Sequence, residues 1–190
     1  MTKRKLKLQY AHIPEGFAPT PNSDPKNYCD EEFRNFSITN LEQVDCLILG
    51  RKTAVDFIPY WAAVAENPDD PDFLLGKKLT DTPKVVFSNT LEKSEWVKSI
   101  LAKGEIVNEI NKLKDQAGND IMVYGGDSFV ASLIKNNLID EYYLVVNPAD
   151  IESSLPILKE LDGKQNITLV KSKTFDCGMI VLLQYETKNN

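Results

Sequence analysis

Three short polar stretches each follow an apolar run, and each offers groups suited to holding an anion. Gly125 and Gly126 stand between Ile121-Met122-Val123-Tyr124 and a helical spacing of apolar residues at Phe129, Val130, Leu133 and Ile134. Backbone without a Cβ admits a ligand closely. A helix start turns unpaired amides and a positive dipole end toward the same place. A phosphate or pyrophosphate fits that chemistry; a tight strand-to-helix turn with no ligand fits the glycines as well. Asp127 or Ser128 is placed to cap the helix through a side-chain oxygen. The second stretch, Gly50-Arg51-Lys52-Thr53, closes the run Cys46-Leu47-Ile48-Leu49. Its arginine presents the fork of donors that suits a phosphate. The third, Ser88-Asn89-Thr90, follows Lys84 to Phe87 and supplies hydroxyls and capping groups. Each stretch alone reads equally as a capped helix or a solvated charge. The glycine pair is neither a P-loop, since no Gly-Lys-Ser/Thr follows it, nor GxGxxG.

The surrounding runs set where these stretches sit. Leu6 to His12 alternates as a strand, and Phe33 to Asp45 spaces Phe33, Phe36, Leu41 and Val44 as a helix. Cys46 to Gly50 reads as a buried strand, followed by a helix carrying Val55, Phe57, Ile58 and Trp61. Lys84 to Ser88 is a third strand. Glu105 to Gln116 places Ile106, Ile110 and Leu113 on one helical face. Asp120 to Pro148 then reads as strand, turn, helix ending at Asn136-Asn137, and strand from Tyr142 to Val146. Its expected geometry is a right-handed crossover between parallel strands. Leu155 to Leu161 suggests a short helix, and Ile167 to Phe175 with Cys177 to Thr187 a closing antiparallel pair. Pro14 to Asn27 is a long Pro- and Asn-rich loop, of a length that points to function. Glu66 to Asp72 is an acidic, proline-broken excursion.

Strands alternate with helices until the last two. This predicts an α/β fold of three layers, α/β/α, around a mostly parallel central sheet with an antiparallel C-terminal strand pair. The three polar stretches then share the carboxyl edge of the sheet, where ligands of such folds bind.

Composition excludes several classes. The 190 residues suit one domain, 1–190, and 42% hydrophobic with 26% charged residues is ordinary for a globular chain. A net charge of −6 argues against nucleic acid or an anionic membrane surface as partner. No apolar run approaches membrane-spanning length, and the basic start leads straight into strand-like alternation, so a cytoplasmic protein is expected. Cys29, Cys46 and Cys177 form no CxxC, and His12 is the one histidine, so no metal site is expected. The cysteines read as reduced, with Cys46 and Cys177 in the core.

LILGRKT followed by Tyr60-Trp61, KVVFSNTL with Trp96 beyond it, DIMVYGGDSFVASLIKNNLIDEYYLVVNP and the closing strand pair together resemble the dihydrofolate reductase-like superfamily. Within it the chain is most similar to the reductase domain at the C-terminus of the riboflavin-biosynthesis deaminase–reductase (the RibD C-terminal domain family). The resemblance covers nearly the whole chain. It implies NADPH as cofactor, with Gly50, Arg51, Lys52 and Thr53 meeting its phosphates. It places Ser88, Asn89 and Thr90 by the adenosine 2′-phosphate, and Gly125, Gly126, Asp127 and Ser128 around the pyrophosphate. It further implies hydride transfer to a small heterocyclic or carbonyl substrate, in a homodimer whose partner surface is the apolar Val181-Leu182-Leu183 of the closing strands. The first loop departs from the family: HIPEG stands where a sequence like SLDG is usual, so Glu15 takes the place of the usual aspartate, and a protonated Glu15 or a water is expected to supply the proton. ADIESSLPI, with Asp150 and Glu152, replaces a glycine-containing turn, which argues against the phosphorylated riboflavin intermediate as substrate. The alternative is a catalytically inactive NADP(H)-binding protein of the same fold.

Overall fold

In a computed structural model of the chain, the described residues are 3–11, 30–147, 159–161, 166–176 and 180–188. Glu15, His12, Cys29, Asp150, Glu152 and Cys177 lie outside them, as does most of the helix expected over Leu155 to Leu161, of which 159–161 are helical.

The most apolar run becomes the middle of the sheet. β5 (Asp120–Tyr124) pairs in parallel with β2 (Val44–Gly50) on one side and β1 (Leu6–Ala11) on the other. Ile121, Met122 and Val123 are fully buried, as expected for a strand covered on both faces. β3 (Lys84–Phe87) and β4 (Ser99–Ala102) extend the sheet beyond β2; β6 (Glu141–Val146), β8 (Val181–Thr187) and β7 (Ile167–Thr174) extend it beyond β1. The order is β4-β3-β2-β5-β1-β6-β8-β7, and β8 alone runs against the rest. The mostly parallel sheet and its antiparallel C-terminal pair are therefore as predicted.

Helices cover both faces. α1 (Asp30–Asn40), α2 (Arg51–Val64) and α3 (Phe73–Asp81) lie on one face, where Leu47, Leu49, Met122 and Val145 point. α4 (Ile106–Asp115) and α5 (Asp127–Lys135) lie on the other, over Leu8, Ile48, Val123 and Leu144. Cys46 is in this second core, and burial pushes its thiol up to about 11. α5 ends at Asn136, and Asn137 takes the left-handed conformation (φ 53°), so the asparagine pair stops the helix as predicted.

Several boundaries differ from the sequence reading. α1 begins at Asp30 and ends at Asn40. Val44 and Asp45 belong to β2 instead, because Val44 pairs with Asp120 at the start of β5. α3 and β4 were not expected. α3 carries a short apolar face, Leu75 and Leu79, just after the acidic loop, and β4 is a four-residue edge strand with Ile100 exposed. The apolar patch assigned to a partner surface is covered within the chain. Leu182 is 5% exposed against Phe175 and the α1 aromatics, and Val181 and Leu183 pack on the opposite core. On the neighbouring edge strand β7, Leu169 and Val170 are exposed.

Lys84 opens β3 almost fully buried. Its amine donates to the carbonyls of Thr80 (3.0 Å) and Thr82 (2.7 Å) at the end of α3. Burial lowers the Lys84 ammonium from 10.5 to about 8. Below about pH 8 the amine is protonated in both folded and unfolded chains. Between about pH 8 and 10.5 only the unfolded chain keeps the proton, so this group adds stability as pH rises through that window. Lys84→Met should abolish the gain. In urea denaturation at pH 7, 8.5 and 10, wild-type stability minus that of the variant should rise with pH; a constant difference would mean that the buried amine stays charged.

Candidate functional site

The site forms where two neighbouring strands send the chain in opposite directions. β2 and β5 run side by side to a last aligned pair, Leu49 and Tyr124. From Gly50 the chain enters α2 on one face and proceeds to β3. From Gly126 it enters α5 on the other face and crosses β1 to reach β6. Helices that diverge from adjacent carboxyl ends leave a crevice between them. Gly50 to Thr53 and Gly125 to Ser128 form its two lips, and Ser88 to Thr90 follows β3, next to β2. All three polar stretches thus lie on one edge.

The lips are joined directly. Gly126 N–H donates to Thr53 Oγ1 at 2.8 Å. This changes the role read for both residues: the Gly126 amide is engaged, and Thr53, having accepted it, keeps a hydroxyl proton to donate. No side chain caps α2 or α5, whose N-cap residues are Gly50 and Gly126. The cap expected from Asp127 or Ser128 is therefore absent: both are already helical, and the Asp127 carboxylate is turned away to accept the Tyr10 hydroxyl at 2.6 Å. Phe129 N–H and Val130 N–H close on Gly126 O at 3.1 and 3.2 Å. The amides of Asp127 and Ser128 have no such partner among the described residues.

The glycines serve close approach rather than unusual backbone. Gly126 has φ −71° and ψ 158°, open to any residue, so the turn is not one that only glycine can make. A Cβ at Gly125 would lie 3.2 Å from the Phe129 ring, and one at Gly50 equally close to Phe129. Phe129 packs on Phe87 at 5.1 Å between centroids and floors the crevice. A Cβ at Gly126 would meet only Thr53 Oγ1, at 3.5 Å. Among the described residues no packing contact requires glycine there, and a position clear of them suits a ligand.

Arg51 and Lys52 are exposed at the α2 lip, and no ion pair among the described residues holds either. Ser88 is 7% exposed, and its Oγ accepts from Thr90 N (3.2 Å) and Leu91 N (3.1 Å). Ser88 thereby shapes the turn, while Asn89 and Thr90 are exposed on it. Trp61, on α2, packs against Phe57, and Trp96 is partly buried against the core that holds Leu49 and Val86. Tyr10 is the residue the sequence reading passed over. Its alternation with Leu6 and Leu8 marks it as core, and no local signal ties it to Asp127. Burial, then the hydrogen bond to Asp127, raise its pKa well above the ordinary phenol range. Among the described residues no group of His, Cys, Asp and Glu could hold a metal ion, and no helix is long and apolar enough to cross a membrane.

Residues 5–181 match the RibD C-terminal domain. The chain belongs to that family. It is 28% identical over 191 residues to the uncharacterized protein YyaP of Bacillus subtilis (strain 168), across 97% of this chain and 96% of that protein. A putative riboflavin biosynthesis protein from Shewanella sp. PV-4 superposes with a TM-score of 0.62 at 20% identity, over 97% of this chain and 99% of that one. The dihydrofolate reductase of Enterococcus faecalis, solved with NADP(H) and RAB-propyl, gives 0.52 at 14% identity, over 97% of both chains. At these identities the structural likeness establishes the fold, which is dihydrofolate reductase-like. The family read from LILGRKT, KVVFSNTL and the glycine-turn segment is confirmed.

Gly126→Val should still fold, with a thermal midpoint no more than a few degrees below the wild type, since φ −71° suits valine and a Cβ finds only an ordinary contact, while valine is a poorer N-cap than glycine. A midpoint lowered by more than several degrees would mean that the turn needs glycine for its own sake.

Proposed function

We propose that this RibD C-terminal domain protein is an NADPH-dependent reductase that transfers hydride to a small heterocyclic or carbonyl substrate. The observation that carries the reading is the crevice between β2 and β5, bridged by the Thr53–Gly126 hydrogen bond and, among the described residues, open above Gly126. The Asp127 and Ser128 amides, the Thr53 hydroxyl and the Ser128 hydroxyl are the donors suited to a pyrophosphate. Gly50 and the α2 lip, with Arg51 and Lys52, face the same anion from across the crevice. Asn89 and Thr90, with Arg51, are the groups proposed for a 2′-phosphate; Ser88 supports them by fixing their turn. The NADP(H) bound by the Enterococcus faecalis reductase of the same fold supports this choice of cofactor. When bound, the nicotinamide supplies the hydride, and the chain supplies orientation and a water-poor surface. Glu15 remains the proposed proton donor. A cytoplasmic homodimer is proposed with it, paired through the β7 edge, where Leu169 and Val170 are exposed.

Cofactor choice tests the anion assignment. A charge-assisted hydrogen bond to the 2′-phosphate contributes roughly 1.5–3 kcal/mol, so NADPH should bind about tenfold to a hundredfold more tightly than NADH. Fluorescence titration of both decides it, and equal affinities would overturn the 2′-phosphate site. Gly126→Val, folded, should bind neither.

Turnover tests the reaction. NADPH oxidation should appear with at least one member of a panel of pterins, uracils and quinones. It should be slow with the phosphoribosyl-aminopyrimidine of riboflavin synthesis, because Asp150 and Glu152 stand in the sequence where the family carries a glycine-containing turn, and like charge would repel its phosphate. Tight NADPH binding with no oxidation across the panel would favour the inactive NADP(H)-binding protein instead.

A further inference from the structure

Tyr10 and Asp127 form a contact that the hydride-transfer reading does not use. Tyr10 stands near the carboxyl end of β1, 6% exposed, on the sheet face that α5 crosses. Its hydroxyl donates to Asp127 Oδ1 at 2.6 Å, across 117 positions of sequence. Asp127 is the first residue of α5 and is itself exposed. A carboxylate at that position ordinarily turns back onto its own helix, accepting its own or a neighbouring amide and matching the positive dipole end. Here it does not: the Asp127 carboxylate accepts the Tyr10 hydroxyl, the N-cap residue is Gly126, and the Asp127 and Ser128 amides have no partner among the described residues.

We propose that Tyr10 is a positioning residue for the anion cradle. It holds the Asp127 carboxylate toward β1, so that this carboxylate neither caps the first-turn amides of α5 nor sets its charge against an incoming anion. This rests on the reading of the crevice as a dinucleotide site. Without the phenol hydroxyl, Asp127 becomes a competitor built into the chain, occupying the donors the ligand needs. The cradle is thus kept open by a residue that never touches the ligand.

The test is a double-mutant cycle read by NADPH and inorganic pyrophosphate binding. Tyr10→Phe removes one oxygen and keeps the ring, and circular dichroism establishes that it folds. It should weaken both ligands about fivefold, the scale of a carboxylate cap. Asp127→Ala removes the competitor, so the double variant should regain most of the lost affinity and match Asp127→Ala alone; a loss from Tyr10→Phe that persists in the Asp127→Ala background overturns the proposal. A merely structural tie between β1 and α5 predicts the opposite, because the double variant lacks that tie as fully as the single one and would stay weak. Unchanged affinity in Tyr10→Phe, or no rescue in the double variant, overturns the proposal while leaving the cofactor reading intact. A wild-type protein that binds neither ligand overturns both.

Discussion

Everything at the site depends on β5 being paired on both sides. A parallel strand cannot reach its neighbour by a tight turn, so each flanking connection must leave the sheet and cross a face. With β2 on one side and β1 on the other, the connection after β5 crosses β1 while the connection after β2 leads away from β5. The two helices must therefore start on opposite faces. The crevice is a product of strand order before it is a product of any polar residue. What the polar residues add is its width: one hydrogen bond, Gly126 N–H to Thr53 Oγ1, ties the lips.

The two edges of the sheet treat charge differently. At the amino edge the cations are committed. Arg4, 7% exposed, donates to Asn119 O and pairs with Asp45, whose other oxygen accepts Asn119 N–H at 2.7 Å. Lys7 meets Asp120 at 2.7 Å, and Lys114 meets Asp140 at 2.5 Å. These pairs bind the starts of β1, β2 and β5 and the approach to β6 into one rigid base. Gly118, with φ +151°, belongs to the same base, since a Cβ there would come within 2.6 Å of Asp45 Oδ2. At the carboxyl edge Arg51 and Lys52 are unpaired among the described residues. Net negative charge over the whole chain therefore coexists with a locally cationic lip, and the local arrangement matters at contact distance.

Much of this was legible in the sequence, and the limits are physical. The runs ending at Gly50 and Tyr124 declare buried strands because both faces are covered, so apolar residues are continuous. The glycines after them declare a close approach. Asn136-Asn137 is readable because asparagine tolerates the left-handed backbone that a helix stop needs. β4 was not legible, since four residues at an edge with Ile100 turned outward carry no period. Val181 to Leu183 misled because alternate residues of β8 feed two different cores, which makes a covered strand look like an apolar patch. Tyr10 was invisible as a polar partner: alternation reports the side of a sheet, not what a phenol meets 117 positions away. The cap assigned to Asp127 failed for that same long-range reason.

Phe129 lies beneath both glycine lips of the crevice. A Cβ at Gly50 or Gly125 would press on it at 3.2 Å, tight enough that the ring would have to give, and Phe87 packs on it from the β3 side. The depth of the cleft is thus fixed by a side-chain rotamer rather than by the sheet itself. A phenyl ring has the same outline after a half-turn about χ2, and such terminal torsions are two-fold. Thermal ring flips would therefore leave the surface beneath a ligand unchanged, giving a floor that is mobile in its atoms and constant in its shape.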